Sequence, residues 1–373
     1  MDRSIKIFKI FGIDVKLHIS WWFVFVLIAW SLSEAFFPQF FPEQTTVMYW
    51  LMGLSASLLL FVSVLLHELS HSLIAKAKGI KVESITLFFF GGVAGITKED
   101  MKPMSEFFMA LAGPAFSLLL AGFFYFIYLL NVNLFLTAIS FYLYQLNLIL
   151  ALFNLVPGFP LDGGRALRAI LYAYYKDLRK ATYIAVKGGK FFAILLMVLG
   201  VYGIFSGIGT GLWFIFLGGF LYFIAGMSYE QVVIREVLSK IKVKELVDKK
   251  FIKVSPKMKF SVFIKSYINS DKEIFLVKDK SFEGLVDLKK VEKMSNKMQQ
   301  MVVIKQISVP LSRIKKLSLN DNAYLAFRLF TEQNLDVLPV MNKNKIIGLV
   351  RRKNLMHRLV WSLKFSGFSK KNK

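Results

Sequence analysis

Three observations predict a polytopic α-helical membrane protein, about six transmembrane helices with a small membrane-associated β element, followed by a polar α/β module. The chain is 55% hydrophobic with a mean hydropathy of +0.53, yet carries a formal net charge of +24 over its 373 residues. The charge is segregated: residues 1–227 hold 16 Lys/Arg against 11 Asp/Glu, and residues 228–373 hold 32 against 13. A repeat of about 63 residues runs through 241–361. An apolar body with a basic appendage excludes a disordered chain, a disulfide-stapled secreted domain and a single soluble core.

The spans come first. No Lys or Arg occurs between Lys16 and Lys76, between Lys102 and Arg165, or between Lys190 and Arg235. Each window accommodates two helices of about 20 residues. The six spans are expected near 20–36, 48–75, 107–130, 134–155, 191–206 and 210–227, broken at Pro38–Pro42, at Asn131–Asn133 and around Gly207–Gly209. All 16 basic residues of this half then lie on one side, so the positive-inside rule predicts that both termini are cytoplasmic in a cell membrane. The first residues do not read as a cleaved signal peptide, because no small-residue cleavage pattern follows a short apolar core. Ala112-Gly113-Pro114 in the third span reads as a site of close helix packing with a mild kink. Residues 81–97 read as short strands with a turn at Gly91-Gly92.

The chain has no cysteine, so a metal would be held by His, Asp or Glu. Two of the four histidines fall in His67-Glu68-Leu69-Ser70-His71, at the end of an apolar helix where ionisable groups are costly. Positions i and i+4 share a helix face, so both imidazoles can hold one zinc ion, with Glu68 placed as the proton acceptor for an attacking water. A catalytic zinc with two His ligands needs a third protein ligand. Asp162, in Asn154-Leu155-Val156-Pro157-Gly158-Phe159-Pro160-Leu161-Asp162-Gly163-Gly164, is the sole acid between Glu106 and Asp177. It reads either as that ligand or as a loop cap beside Arg165. Two prolines and two glycines predict irregular backbone around it, tolerated at membrane depth where it lines a cavity or packs on protein. His18 reads as a packed interfacial residue, and His357 has no metal-binding neighbour in the sequence.

The two motifs together resemble the site-2 protease family of intramembrane zinc metalloproteases, which carries H-E-x-x-H on one transmembrane helix and N-x-x-P-x-x-P-x-D-G on another. The resemblance covers roughly residues 1–227 and extends to Lys16–Ser20 and Phe90–Ala94. It implies that His67, His71 and Asp162 bind one Zn2+, that Glu68 is the catalytic base, and that Asn154 contacts the substrate or the oxyanion. It also implies transmembrane protein substrates, such as a membrane-held transcriptional regulator, cleaved within the lipid bilayer. An edge of the 81–97 strands would pair with extended substrate, or the hairpin only packs beside the active helices.

The basic half aligns Val254-Ser255-Pro256 with Leu317-Ser318-Leu319, Ile274–Val277 with Val337–Val340, and Gly284-Leu285-Val286 with Gly348-Leu349-Val350. This looks like a tandem pair of CBS domains, which implies a regulatory or docking module, adenine-nucleotide binding and a surface for oligomerisation. Arg351 and Asn354 in the second copy, and Asp287 and Lys290 in the first, depart from the nucleotide-binding pattern. Arg351, Arg352 and Lys353 are the alternative phosphate contacts. The scattered lysines come with no DNA- or RNA-binding motif, so no nucleic-acid partner is expected; attraction to the anionic inner leaflet accounts for the charge. The expected organisation is a protease domain over 1–227, a linker over 228–240, repeats over 241–300 and 301–361, and a basic tail over 362–373. Two rival readings are a CBS-gated transporter or channel and a membrane-anchored zinc peptidase acting on soluble chains. The first leaves His67, Glu68, His71 and Asp162 without a role; the second normally takes glutamate as third ligand.

Overall fold

A computed structural model describes residues 4–88, 91–96, 101–207, 209–267, 270, 274–288, 302–343 and 345–365. Phe90 and Lys290, both singled out in the sequence, lie outside the described residues. The chain divides into two compact units, Met1–Glu230 and Gln231–Lys373.

The first unit opens with a hairpin, β1 (Ser4–Ile10) and β2 (Ile13–His18), which the composition did not reveal. It is followed by α1 (Ser20–Ser31), a π-helical turn (Leu32–Phe36), α2 (Phe37–Phe40) and α3 (Thr46–Ala77). Strands β3 (Val82–Phe88) and β4 (Gly91–Ile96) come next, then α4 (Pro103–Leu130) and α5 (Leu134–Asn154). The set closes with α6 (Asp162–Tyr175), α7 (Leu178–Phe205) and α8 (Gly211–Lys240).

Six helical segments are long and apolar enough to cross a membrane: Ser20–Phe40, Thr46–Ala77, Pro103–Leu130, Leu134–Asn154, Leu178–Phe205 and Gly211–Lys240. Only 22–39% of each apolar window is buried inside the protein, so most of this surface needs a lipid solvent. The unit is a multi-pass membrane domain. Its first span runs past the expected break because helical backbone continues from α1 through the π-helical turn into α2, with Pro38 directly after that turn. The fifth begins at Leu178 rather than near 191, with the Asp177 side chain accepting from Lys180 N at 2.9 Å to cap it. Residues 228–240, expected as a linker, continue α8.

The four strands form one sheet in the order β1-β2-β3-β4. β2 and β3 pair in parallel (Val15 opposite Ile85) although two spans lie between them. A pair of antiparallel crossings returns the chain to its starting side, so the sheet, the start of α1 and the end of α3 share one membrane face. Ile85, Leu87, Val82 and Ile13 pack with Leu69, Ala75 and Phe61 of α3 and Trp21 of α1 in one buried cluster. The sheet is thereby fixed against the His67–His71 segment.

The second unit is two copies of one α/β pattern. Strands β5 (Lys253–Val254), β6 (Ile274–Lys278) and β7 (Glu283–Asp287) of the first copy match β9 (Leu317–Ser318), β10 (Val337–Asn342) and β11 (Lys345–Arg351) of the second. Each copy lends its incoming segment to the other. Val309 and Pro310 (β8) pair with Leu285 and Gly284, while Asp248 exchanges backbone hydrogen bonds with Leu349 at 2.8 and 2.9 Å. The two equivalent glycines make room for this: a Cβ on Gly348 would lie 2.4 Å from Val247, and one on Gly284 3.0 Å from the Val309 carbonyl oxygen. This is a paired α/β repeat, as the repeat in the sequence predicted.

Candidate metal centre

α3 is capped by Thr45, whose side chain accepts from Met48 N at 3.3 Å, and turns its small and polar residues inward. Ser63, His67, His71 and Ala75 succeed one another at four-residue steps, and all are buried. The facing helix, α4, buries Glu106, Met109, Ala110, Gly113, Pro114, Ser117 and Ala121 along one stripe. Each imidazole is held by that stripe through Nδ1. His71 Nδ1 donates to the Met109 carbonyl oxygen at 2.6 Å, and His67 Nδ1 lies 2.9 Å from Ser117 Oγ. Because a carbonyl only accepts, a neutral His71 presents Nε2 as a bare lone pair, the state a metal requires.

The third donor arrives on α6. α5 ends at Asn154, residues 155–161 form an irregular loop, and Asp162 is the first residue of a new helix. Irregularity was expected to continue through Gly163 and Gly164, but both are helical. They are glycines because the helix starts against its own loop: a Cβ on Gly163 would lie 2.3 Å from the Leu155 oxygen, and one on Gly164 2.2 Å from the Gly158 carbonyl carbon. α7 grips the loop from outside. Phe159 N donates to the Ala185 oxygen at 3.1 Å, and a Cβ on Gly189 would lie 1.8 Å from the Phe159 oxygen.

These supports bring three atoms together. Asp162 Oδ2 lies 3.2 Å from His67 Nε2 and 3.1 Å from His71 Nε2, and the two Nε2 atoms are 3.2 Å apart. Ligands at about 2.0–2.1 Å in a zinc tetrahedron are separated by about 3.3 Å, so this triangle has the required size. Among the described residues it is the one group of three His/Cys/Asp/Glu able to hold an ion. Space beside the donors is kept by Gly113, where a Cβ would lie 2.2 Å from His71 Nε2 and 2.6 Å from His67 Nε2. Its role therefore goes beyond the close packing expected of Ala112-Gly113-Pro114. The donor set and this cradle fit a zinc ion.

Glu68 stands beside the triangle, half-buried, under strand β4: a Cβ on Gly92 would lie 2.4 Å from Glu68 Cγ. Asn154 is the last residue of α5, and its Nδ2 donates to the Leu150 oxygen at 2.9 Å. The other histidines take no part: His18 Nδ1 lies 2.9 Å from Ser20 Oγ, and the His357 ring stacks toward Trp361. Sequence reasoning missed Met109, Ser117 and Gly189, and it placed Gly91 and Gly92 in a turn where they are the first residues of β4, opposite Phe88 and Leu87. Ser117, an isolated hydroxyl four residues after Gly113 in an apolar span, and the Gly188-Gly189 pair between two lysines were the available signals.

In the second unit, a cleft between the copies is lined by Ile274, Leu285, Asp287, Val309, Asp336 and Val337 among others. Arg351 pairs with Asp248 at 3.3 Å, and Arg352 pairs with Asp336 of the cleft lining at 3.4 Å.

Six crossings around an H-E-x-x-H helix and a converging aspartate define a membrane-embedded zinc metalloprotease. The peptidase family M50 pattern matches residues 55–140 and 131–198. A zinc metalloprotease of Methanocaldococcus jannaschii is 34% identical over 271 residues, 71% of this chain and 72% of the relative. A Synechocystis sp. relative is 30% identical over 370 residues, 95% of each chain. Among solved structures, the site-2 protease of M. jannaschii is 33% identical and covers 61% of this chain and 95% of its own, with a TM-score of 0.41. The chain belongs to peptidase family M50, the site-2 protease family of zinc metalloproteases.

Proposed function

We propose that this protein is an intramembrane endopeptidase that cuts transmembrane segments of membrane proteins, with His67, His71 and Asp162 holding one zinc ion. The observation that carries the reading is the convergence of two Nε2 atoms and one Oδ2 within 3.2 Å at the end of an apolar span, with Glu68 beside them. When bound, zinc supplies Lewis acidity, polarising a water and the scissile carbonyl. Glu68 accepts the proton of the attacking water and passes it to the leaving amine nitrogen. Asn154 steadies the substrate or the developing oxyanion through its amide, whose Nδ2 carries a second N–H besides the one given to the Leu150 oxygen. A substrate segment must unwind first, because helical hydrogen bonding shields its carbonyls. β4 supports a place for it: the strand is at an edge of the sheet and passes over Glu68, so an extended segment added there runs beside the base.

Both termini are assigned to the cytoplasm from the one-sided distribution of 16 basic residues, so the sheet and the metal site face that side. The repeat module is a regulatory or docking element. Arg351 and Arg352 are already paired, so a nucleotide would be held by the adenosine end, in the apolar cleft beside Asp287, rather than by phosphate contacts. Titration of AMP and ATP into the full chain tests this: equal affinities are expected, and heat with ATP alone overturns it.

For the protease itself, the full chain in detergent is assayed for zinc and for cleavage of a transmembrane test substrate. Glu68→Gln is expected to keep its zinc and lose about 10²- to 10⁴-fold in rate. Undiminished cleavage by that variant, or a zinc-free wild type that still cleaves, rejects the assignment.

A further inference from the structure

Resting on the reading of His67, His71 and Asp162 as one metal site, we infer that the buried ion pair Glu106–Arg168 is a positioning device that sets Asp162 against the two histidines. Glu106 is 3% exposed, in the first turn of α4, and the Arg168 side chain is 17% exposed, on α6. Arg168 Nε donates to Glu106 Oε1 at 2.9 Å, and its Nη2 donates to the same oxygen. The guanidinium also lies over the Phe159 ring, 4.9 Å from its centroid. One side chain thus ties α4 to both the helix that Asp162 begins and the loop that delivers it, from six residues after the ligand to three residues before it.

The other end of the tie matters as much. Glu106 precedes Gly113 by seven residues and Ser117 by eleven, so the three lie on one stripe of α4. That stripe already holds His71 through the Met109 oxygen and His67 through Ser117. α4 therefore registers all three ligands: two imidazoles directly, and the carboxylate through Arg168. Without such a link the carboxylate would be placed only by the backbone packing of its loop against α6 and α7, with no side chain tying it to α4. A buried ion pair is a poor source of stability, because desolvating both charges offsets their attraction. Its planar fork is a good source of fixed geometry, which a lysine cannot reproduce.

The test uses the full chain in detergent as wild type, Arg168→Lys, Arg168→Met and the double variant Glu106→Met/Arg168→Met, freed of metal and titrated with Co2+. The readouts are the visible absorption of bound cobalt, the affinity by chelator competition, and the melting temperature of the metal-free protein. The double variant replaces both charges by apolar groups of similar size and is expected to stay folded. It and both single variants are expected to bind Co2+ about 10- to 100-fold more weakly, with an altered cobalt spectrum. A folded double variant with wild-type affinity and spectrum overturns the inference, as does a fall in melting temperature with no change in affinity, which marks a merely structural pair. A wild type that binds no Co2+ rejects the metal site itself, and the inference with it.

Discussion

His67 Nδ1 and Ser117 Oγ meet at 2.9 Å across the α3–α4 contact, both residues buried to within 4% of full enclosure. The hydroxyl orients a ring whose other nitrogen lies 3.2 Å from Asp162 Oδ2, so a buried serine of α4 holds one corner of the three-residue cluster.

Ser117→Ala removes that contact and leaves His67 Nδ1 without a partner in an apolar contact. Zinc affinity is expected to fall about 10- to 100-fold. Helix content should stay unchanged, since Ala suits a helix interior. Chelator competition and circular dichroism on the same sample check both halves.

Gly113→Ala places a methyl where it would lie 2.2 Å from His71 Nε2. Loss of stoichiometric zinc and of cleavage is expected. Gly122→Ala, nine residues along the same helix, meets nothing within 4 Å and should leave both unchanged. Metal analysis of the purified pair distinguishes a steric effect at the site from a general effect of removing glycine from α4.

Gly92→Val acts on Glu68, the proposed base, rather than on His67, His71 and Asp162. Its side chain would fall on Glu68, 2.4 Å from Cγ at the first carbon, and displace the carboxylate. The expected result is retained zinc with turnover reduced by up to about 10⁴-fold, the full contribution of a general base. Turnover measured against zinc content per molecule checks it.

Gly189→Ala tests the grip on the aspartate loop. Its Cβ would lie 1.8 Å from the Phe159 oxygen, a backbone atom that cannot turn aside as a side chain can. Overpacking of this kind costs about 1–3 kcal/mol or more. A lowered melting temperature together with reduced zinc content is expected, because the displaced loop carries Asp162. Thermal melts in detergent followed by metal analysis check the pairing of the two effects.

Much of this protein is legible along the chain. Windows without Lys or Arg mark the six crossings because a charge in hydrocarbon is costly wherever it occurs, so the signal survives without knowledge of neighbours. The repeat is legible because two copies of one pattern appear in one sequence. His67 and His71 are legible because a helix alone fixes their common face, and Glu68 because it adjoins the first of them in the chain. The N-terminal hairpin was missed although β2 alternates apolar and polar residues from Ile13 to His18; β1, an edge strand with Ile5, Ile7 and Phe8 exposed, gives the weaker pattern.

What only tertiary structure decided is how Asp162 reaches the histidines. Along the chain Asp162 stands 91 positions beyond His71; only the family resemblance named it a ligand, the residues alone left ligand or loop cap, and no local rule spans that distance. Packing settles its place: Gly158, Gly163, Gly164 and Gly189 let backbone approach backbone, while Met109 and Ser117 of α4 turn both imidazoles toward the same point. Those residues are ordinary for their own helices. They matter because of what lies across the contact, and a linear pattern records a residue's chemistry and spacing but not its neighbours in space.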